Sequence, residues 1–144
     1  MEEQSYAKHA KMVPMYHRVL AGLLFLTLIG SVVNLWESIG KPDRLYSASL
    51  ILVLTVCAFM TTLFARIFPL KAQDRAIRAE ENLRHYVLTG KPLDGRLTIK
   101  QIVGLRFASD AEFADLARKA ADEAMSLDAI KKSVKNWRAD HDRI

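Results

Sequence analysis

Two long runs without a formal charge dominate the first half of the chain. Val19–Trp36 reads VLAGLLFLTLIGSVVNLW and Leu45–Ala65 reads LYSASLILVLTVCAFMTTLFA. At 1.5 Å per residue they make helices of about 27 and 32 Å, enough for a hydrocarbon core of about 30 Å. Trp36 and Tyr46 flank the connection between them and Tyr16 sits at the far end, the aromatic placement of a headgroup boundary. Core helices of a soluble protein would carry a charged stripe, and these carry none. The first run starts too late, is too long and lacks the small-residue cleavage site of a signal peptide. The connection Glu37–Arg44, ESIGKPDR, holds the breakers Gly40 and Pro42, so a tight antiparallel hairpin is expected.

After Ala65 the pattern inverts. Phe68-Pro69 comes first, and proline disfavours the α conformation of the residue before it, so the helix is expected to kink or break there. Leu70 to Leu88 is again helical in period. Asp74–Arg78, Glu80–Arg84 and Glu81–His85 are i, i+4 pairs with the acid first. Ala72, Ala76, Ala79, Leu83 and Tyr86 recur at 4, 3, 4, 3 and form a narrow apolar seam. That seam needs a cover, either the distal helices of the same chain or another copy. Gly90 and Pro92 mark the end of the helix.

Three short helices are expected beyond the loop TGKPLDGR. Thr98 and Gln101 match a capping box for the first, which runs to about Phe107; Ser109 and Glu112 match one for the second. Phe113, Leu116, Ala117, Ala120 and Ala124 share a face of the second. The third starts near Ser126 and places Leu127, Ile130, Val134 and Trp137 at 3, 4, 3. The expected fold is all-α: an interfacial segment (1–18), a two-helix transmembrane hairpin (19–65, spans 19–36 and 45–65), and a cytoplasmic helical extension (66–144). The extension is a juxtamembrane helix plus three short helices. Its packing residues would be Ala76, Ala79, Leu83, Phe113, Leu116, Ile130, Val134 and Trp137.

Charge fixes the orientation. The net charge is +5 over 144 residues. The connection holds two Lys/Arg, the first eighteen residues three, and Arg66–Arg84 five. The positive-inside rule then puts both termini in the cytoplasm. The excess is spread along the tail, which suits anionic lipid headgroups before nucleic acid.

The spans carry their own packing signal. Thr27, Gly30, Ser31 and Asn34 form a small, polar stripe on the first, and Ala48, Thr55, Ala58 and Thr62 form one on the second. Small residues let backbones approach, and hydroxyl or amide groups can bond across the contact. A pore or substrate path would call for intramembrane carboxylates, Lys, Arg or His, and the spans have none.

No reaction is legible. The single cysteine, Cys57, lies in the second apolar run and reads as a small hydrophobe. His85 with Glu81 offers too few ligands for zinc, and His9, His17 and His141 share no ligand spacing. Phosphate-binding loops, dinucleotide fingerprints, nucleophile elbows and paired-cysteine motifs are all missing. The expectation is therefore no catalytic, cofactor or metal site. Three helices in a row raise a helix-turn-helix reading with Lys131, Lys132, Lys135 and Arg138 as phosphate contacts, but Asp128, Asp140 and Asp142 dilute that charge.

The segments YSASL, KAQDRAIRAEENLRHYVLTGKPLD, RLTIKQIVGLRFASD and IKKSVKNWRADHDRI carry a resemblance. The chain resembles a family of short bacterial two-span membrane proteins catalogued as a domain of unknown function. The resemblance implies a protein of the bacterial cytoplasmic (inner) membrane and transfers no catalytic residue. The function expected is a non-enzymatic membrane scaffold or adaptor that self-associates, with the bilayer, further copies and an unidentified membrane protein as partners. The alternatives are a small oligomeric channel and a membrane-tethered nucleic-acid-binding protein.

Overall fold

The computed structural model describes Tyr6 and residues 12–140. The rest of the expected interfacial segment, with His9, lies outside the described residues, as does His141. The described residues divide into two compact units, one of Met12–Phe68 and one that takes in Tyr6 and residues 69–140. Among the described residues every regular element is helical.

In the first unit a π-helical turn, Met15–Leu20, leads into α1 (Ala21–Ser38). The helical run thus begins before the expected Val19, with Pro14 just ahead of it, where a missing N–H costs nothing. Only Ile39, Gly40 and Lys41 separate α1 from α2 (Pro42–Thr89). The connection is shorter than the eight residues expected because Pro42 opens α2 instead of ending the loop. Gly40, at φ +81°, supplies the reversal. Both helices are long and apolar enough to cross a membrane.

α2 continues through Pro69. Of the kink or break expected there, the break is not made. One forfeited hydrogen bond and the ring clash cost about 3 kcal/mol. A break would leave four C=O groups without partners at the new C-terminal end and four N–H groups at the new N-terminal end. The apolar run before Pro69 and the alanine-rich, charge-rich run after it both favour helix, so continuing is the cheaper outcome.

In the second unit α2 ends where Gly90, at φ +73°, gives its N–H to Tyr86 O at 2.8 Å. The expected capping boxes open α3 (Ile99–Leu105) and α4 (Asp110–Asp122). α5 (Leu127–Ser133) is capped by Ser126. α5 stops short of the expected register, because Val134 is extended. Trp137 therefore reaches the core on an extended segment, through an antiparallel bridge between Ala108 and Trp137. The bridge is made by Arg138 N–H to Phe107 O (2.8 Å) and Ser109 N–H to Asn136 O (3.1 Å).

One core holds α3, α4 and α5 together. Leu97, Ile102, Leu105, Phe107, Phe113, Leu116, Ala120, Ile130 and Val134 are buried in it, with Trp137 half-buried against Phe107 at 4.8 Å. α3 approaches α5 at Gly104, where a Cβ would lie 3.0 Å from Leu127 Cδ1 and 3.2 Å from Ile130 Cγ2. Gln101 does more than cap. Its amide donates to Ala120 O and Met125 O, tying α3 to the end of α4.

Candidate functional site

Within the first unit the hairpin contact is an alternation of large and small residues. Tyr16 donates its hydroxyl to Thr62 O, which ties the start of the first helical run to α2. Ser31, Ser38, Ala48 and Thr55 are buried, and Leu24, Leu28, Leu35, Leu52, Phe59 and Thr62 are half-buried. Taken together on each helix, 24, 28, 31, 35, 38 and 48, 52, 55, 59, 62, they recur at 4, 3, 4, 3, the spacing of a packed helix seam. Of the expected packing residues, Ser31, Ala48, Thr55 and Thr62 lie in this contact. Thr27, Gly30, Asn34 and Ala58 do not; they are exposed and flank it.

The expected bonds across the contact are replaced by local ones. Thr27, Ser31, Thr55 and Thr62 donate to Leu23 O, Leu28 O, Ile51 O and Ala58 O of their own helices, all at 2.8–2.9 Å. A hydroxyl on a helix has an acceptor three or four residues back at no cost in ordering, so a partner across the contact is not needed.

In the second unit α2 buries a face that carries charge. Ile77 and Glu81 are each 6% exposed, and the Arg84 side chain is nearly as covered. Arg84 Nη1 donates to Glu81 at 2.9 Å, Nε donates to Asp110 at 2.7 Å and Nη2 donates to Ala108 O at 2.7 Å. Its guanidinium lies 4.3 Å over the Phe113 ring, whose edge meets His85. Arg138 stands 4.0 Å from the other Glu81 oxygen. One arginine fork thus holds α2 to the start of α4. A planar, permanently charged fork suits that role where a lysine would not.

The three expected i, i+4 pairs are not made. Arg84 takes Glu81 at i−3 in place of Glu80, the His85 ring nitrogen meets Lys91 O at 2.7 Å, and Asp74 and Arg78 form no ion pair. The seam is likewise relocated. Phe113, Leu116, Ile130 and Val134 pack in the distal core as expected, but not against Ala76, Ala79 or Leu83. Ala72, Ala76 and Ala79 are exposed, and Leu83 and Tyr86 are 64% and 56% exposed. They lie on the side of α2 away from Ile77, Glu81 and Arg84. No described residue of the chain covers them, and Val87 beside them is 74% exposed. This uncovered apolar face is the candidate site.

Glu112 secures the far side of the small core. It accepts Ser109 N–H in its capping box and also Lys135 N–H (3.1 Å) and Asn136 N–H (3.0 Å). Burial opposes its ionisation, but the N–H groups of Asn136, Lys135 and Ser109 outweigh burial and hold its pKa below the ordinary 4.5. A depressed carboxylate adds stability above its unfolded pKa and loses it as pH falls through the folded one. Glu112→Ala is expected to destabilise the second unit by about 1–2 kcal/mol at neutral pH. The penalty should shrink below pH about 4.5. Urea melts of the two proteins at pH 7 and pH 3.5 check both points; an equal penalty at the two pH values would refute the role.

Three of the four basic groups expected to meet phosphate have partners inside the chain; Lys135 is exposed. Lys132 pairs with Asp128 at 2.7 Å, and their bond, with that from Tyr6, lowers the Asp128 pKa. Lys131 lies over Phe107 and Arg138 near Glu81. Among the described residues no three His, Cys, Asp or Glu side chains gather as a metal would require.

The geometry defines an all-α chain with two helices suited to a membrane and a small helical unit that follows them. The chain belongs to the family of unknown function DUF6526, whose model matches residues 1–144. No curated protein and no solved structure matches it.

Proposed function

We propose that this protein is a non-enzymatic scaffold or adaptor of the bacterial cytoplasmic membrane that self-associates through the uncovered face of α2. The observation that carries the reading is the exposure of Leu83, Tyr86 and Val87 beside Ala72, Ala76 and Ala79 on a helix whose other side is packed. Alanines let a second helix approach closely, and the flanking bulky groups give it surface to bury. A second copy is the occupant the face suits, because copies held in one membrane meet at high effective concentration. Exposure of the spans supports the membrane placement: only 6% and 11% of their most apolar windows is buried, where a soluble core helix would be mostly buried. The locally satisfied hydroxyls favour helix packing over a water-lined path. The cross-link to test is between copies bearing Leu83→Cys in a Cys57→Ala background. A disulfide dimer is expected in membranes from cells, with none for Lys119→Cys; equal yields from both would remove the support.

The Lys/Arg asymmetry around the two apolar helices supports cytoplasmic termini. Ser38 is buried with its hydroxyl on Asn34 O, so Lys41 is the position for a probe. Lys41→Cys should react with an impermeant thiol reagent outside intact cells and Lys119→Cys should not. The reverse pattern would invert the topology.

A further inference from the structure

We propose that a groove beside α2 in the second unit binds a phosphate group. The groove encloses about 430 Å³, within the range of small-molecule sites. Arg75, Arg78, Ala79 and Asn82 line it from successive turns of α2, Pro92 to Gly95 line it from the following loop, and Leu97 and Ile102 form its apolar base. The groove shares Ala79 with the face proposed for self-association, but this reading does not depend on that one.

The charge balance points to an anion. Arg75 and Arg78 are exposed and make no ion pair with any described residue. Asp74, the acid placed to neutralise Arg78, is not within ion-pair distance of it. Asp94 is the one acid of the lining, and it is already committed. Arg96 holds it with Nε at 3.0 Å and 3.1 Å and Nη2 at 2.6 Å, and adds its backbone N–H at 2.9 Å. Those bonds lower its pKa to about 2, so it stays ionised, with its charge matched by Arg96 and not by the groove arginines. Asn82 supplies a third donor. Its carbonyl oxygen accepts Leu93 N–H at 2.9 Å, which sets the orientation of the amide and leaves the –NH2 end at the groove.

Two guanidinium forks and an amide offer more N–H donors than the two oxygens of a carboxylate can take. The three or four oxygens of a phosphate match them, and the two positive charges match a phosphate's one or two negative charges. The apolar base accommodates the organic part that a phosphate ester carries. Both a phospholipid headgroup and a soluble phosphate have this chemistry. Arg75 lies ten residues along the chain from Ala65, the last residue of the second uncharged run.

The test uses the full chain in mild detergent, titrated with phosphatidylglycerol and phosphatidylcholine by native mass spectrometry. Inorganic phosphate is titrated separately by thermal shift. Wild type should prefer phosphatidylglycerol at least about ten-fold, and Arg75→Gln with Arg78→Gln should abolish the preference. Arg118→Gln with Lys119→Gln removes the same charge from an exposed part of α4 and should leave the preference intact. A thermal shift with inorganic phosphate that the groove variant loses assigns a soluble phosphate. Loss confined to the lipid arm assigns a headgroup. If the groove variant keeps both responses, or the α4 variant loses as much, the site does not exist.

Discussion

Replacing Arg84 by alanine is expected to destabilise the second unit by about 3–5 kcal/mol, a large part of what a small domain possesses. The variant leaves the Glu81 carboxylate in its buried place, with Arg138 at 4.0 Å as the nearest cation. It also strips Ala108 O of its donor and the Phe113 ring of its cationic lid. Arg84→Lys keeps the charge but not the fork, so it should recover only part of the loss. Removing both charges is a different experiment. Glu81→Met with Arg84→Met takes away the stranded carboxylate, and should stand much closer to wild type than Arg84→Ala does. The chain has two tryptophans, so Trp36→Phe leaves Trp137, against Phe107, as the sole reporter of unfolding. A double-methionine variant as unstable as Arg84→Ala would show that the pair does more than neutralise itself.

The same pair explains what the sequence did and did not disclose. The two long apolar helices, the capping residues Thr98 and Ser109, the end at Gly90 and the core residues Phe113, Leu116, Ile130 and Val134 were legible, because apolar period and turn chemistry are local. The face of α2 that the tail covers was not. Charges on a helix are read as facing water, and the alanine stripe as facing a partner. Here Glu81 and Arg84 are buried because each neutralises the other and the fork also satisfies a backbone oxygen. Nothing in EENLR distinguishes Glu81 from Glu80 as the partner. Pro69 misled as to a break for a related reason: its local cost is legible, but the helix continuing on both sides of it is not weighed by one dipeptide. Trp137 follows the helical spacing of Leu127, Ile130 and Val134 by coincidence, since the chain is already extended at Val134. The groove was hidden because the pairing of Asp74 with Arg78 was expected and is not made.

Ala76→Glu with Leu83→Glu is expected to abolish self-association while leaving the unit folded. Both positions are exposed in the single chain, so the added carboxylates stay in water there. In an assembly that covers this face they would be desolvated without partners, several kcal/mol for each, which exceeds what an alanine-rich contact supplies. The melting of Trp137 should therefore hardly change, and the copy number should fall. A mutation acting through the fold would move both.

The most direct measurement is the mass of the intact complex in mild detergent, for wild type and for this double variant. Wild type is expected at a multiple of the 16.3 kDa chain, and the variant at the single-chain mass with unchanged unfolding. A wild type found at 16.3 kDa, both there and after cross-linking in native membranes, would contradict the proposal that copies of this chain meet through α2.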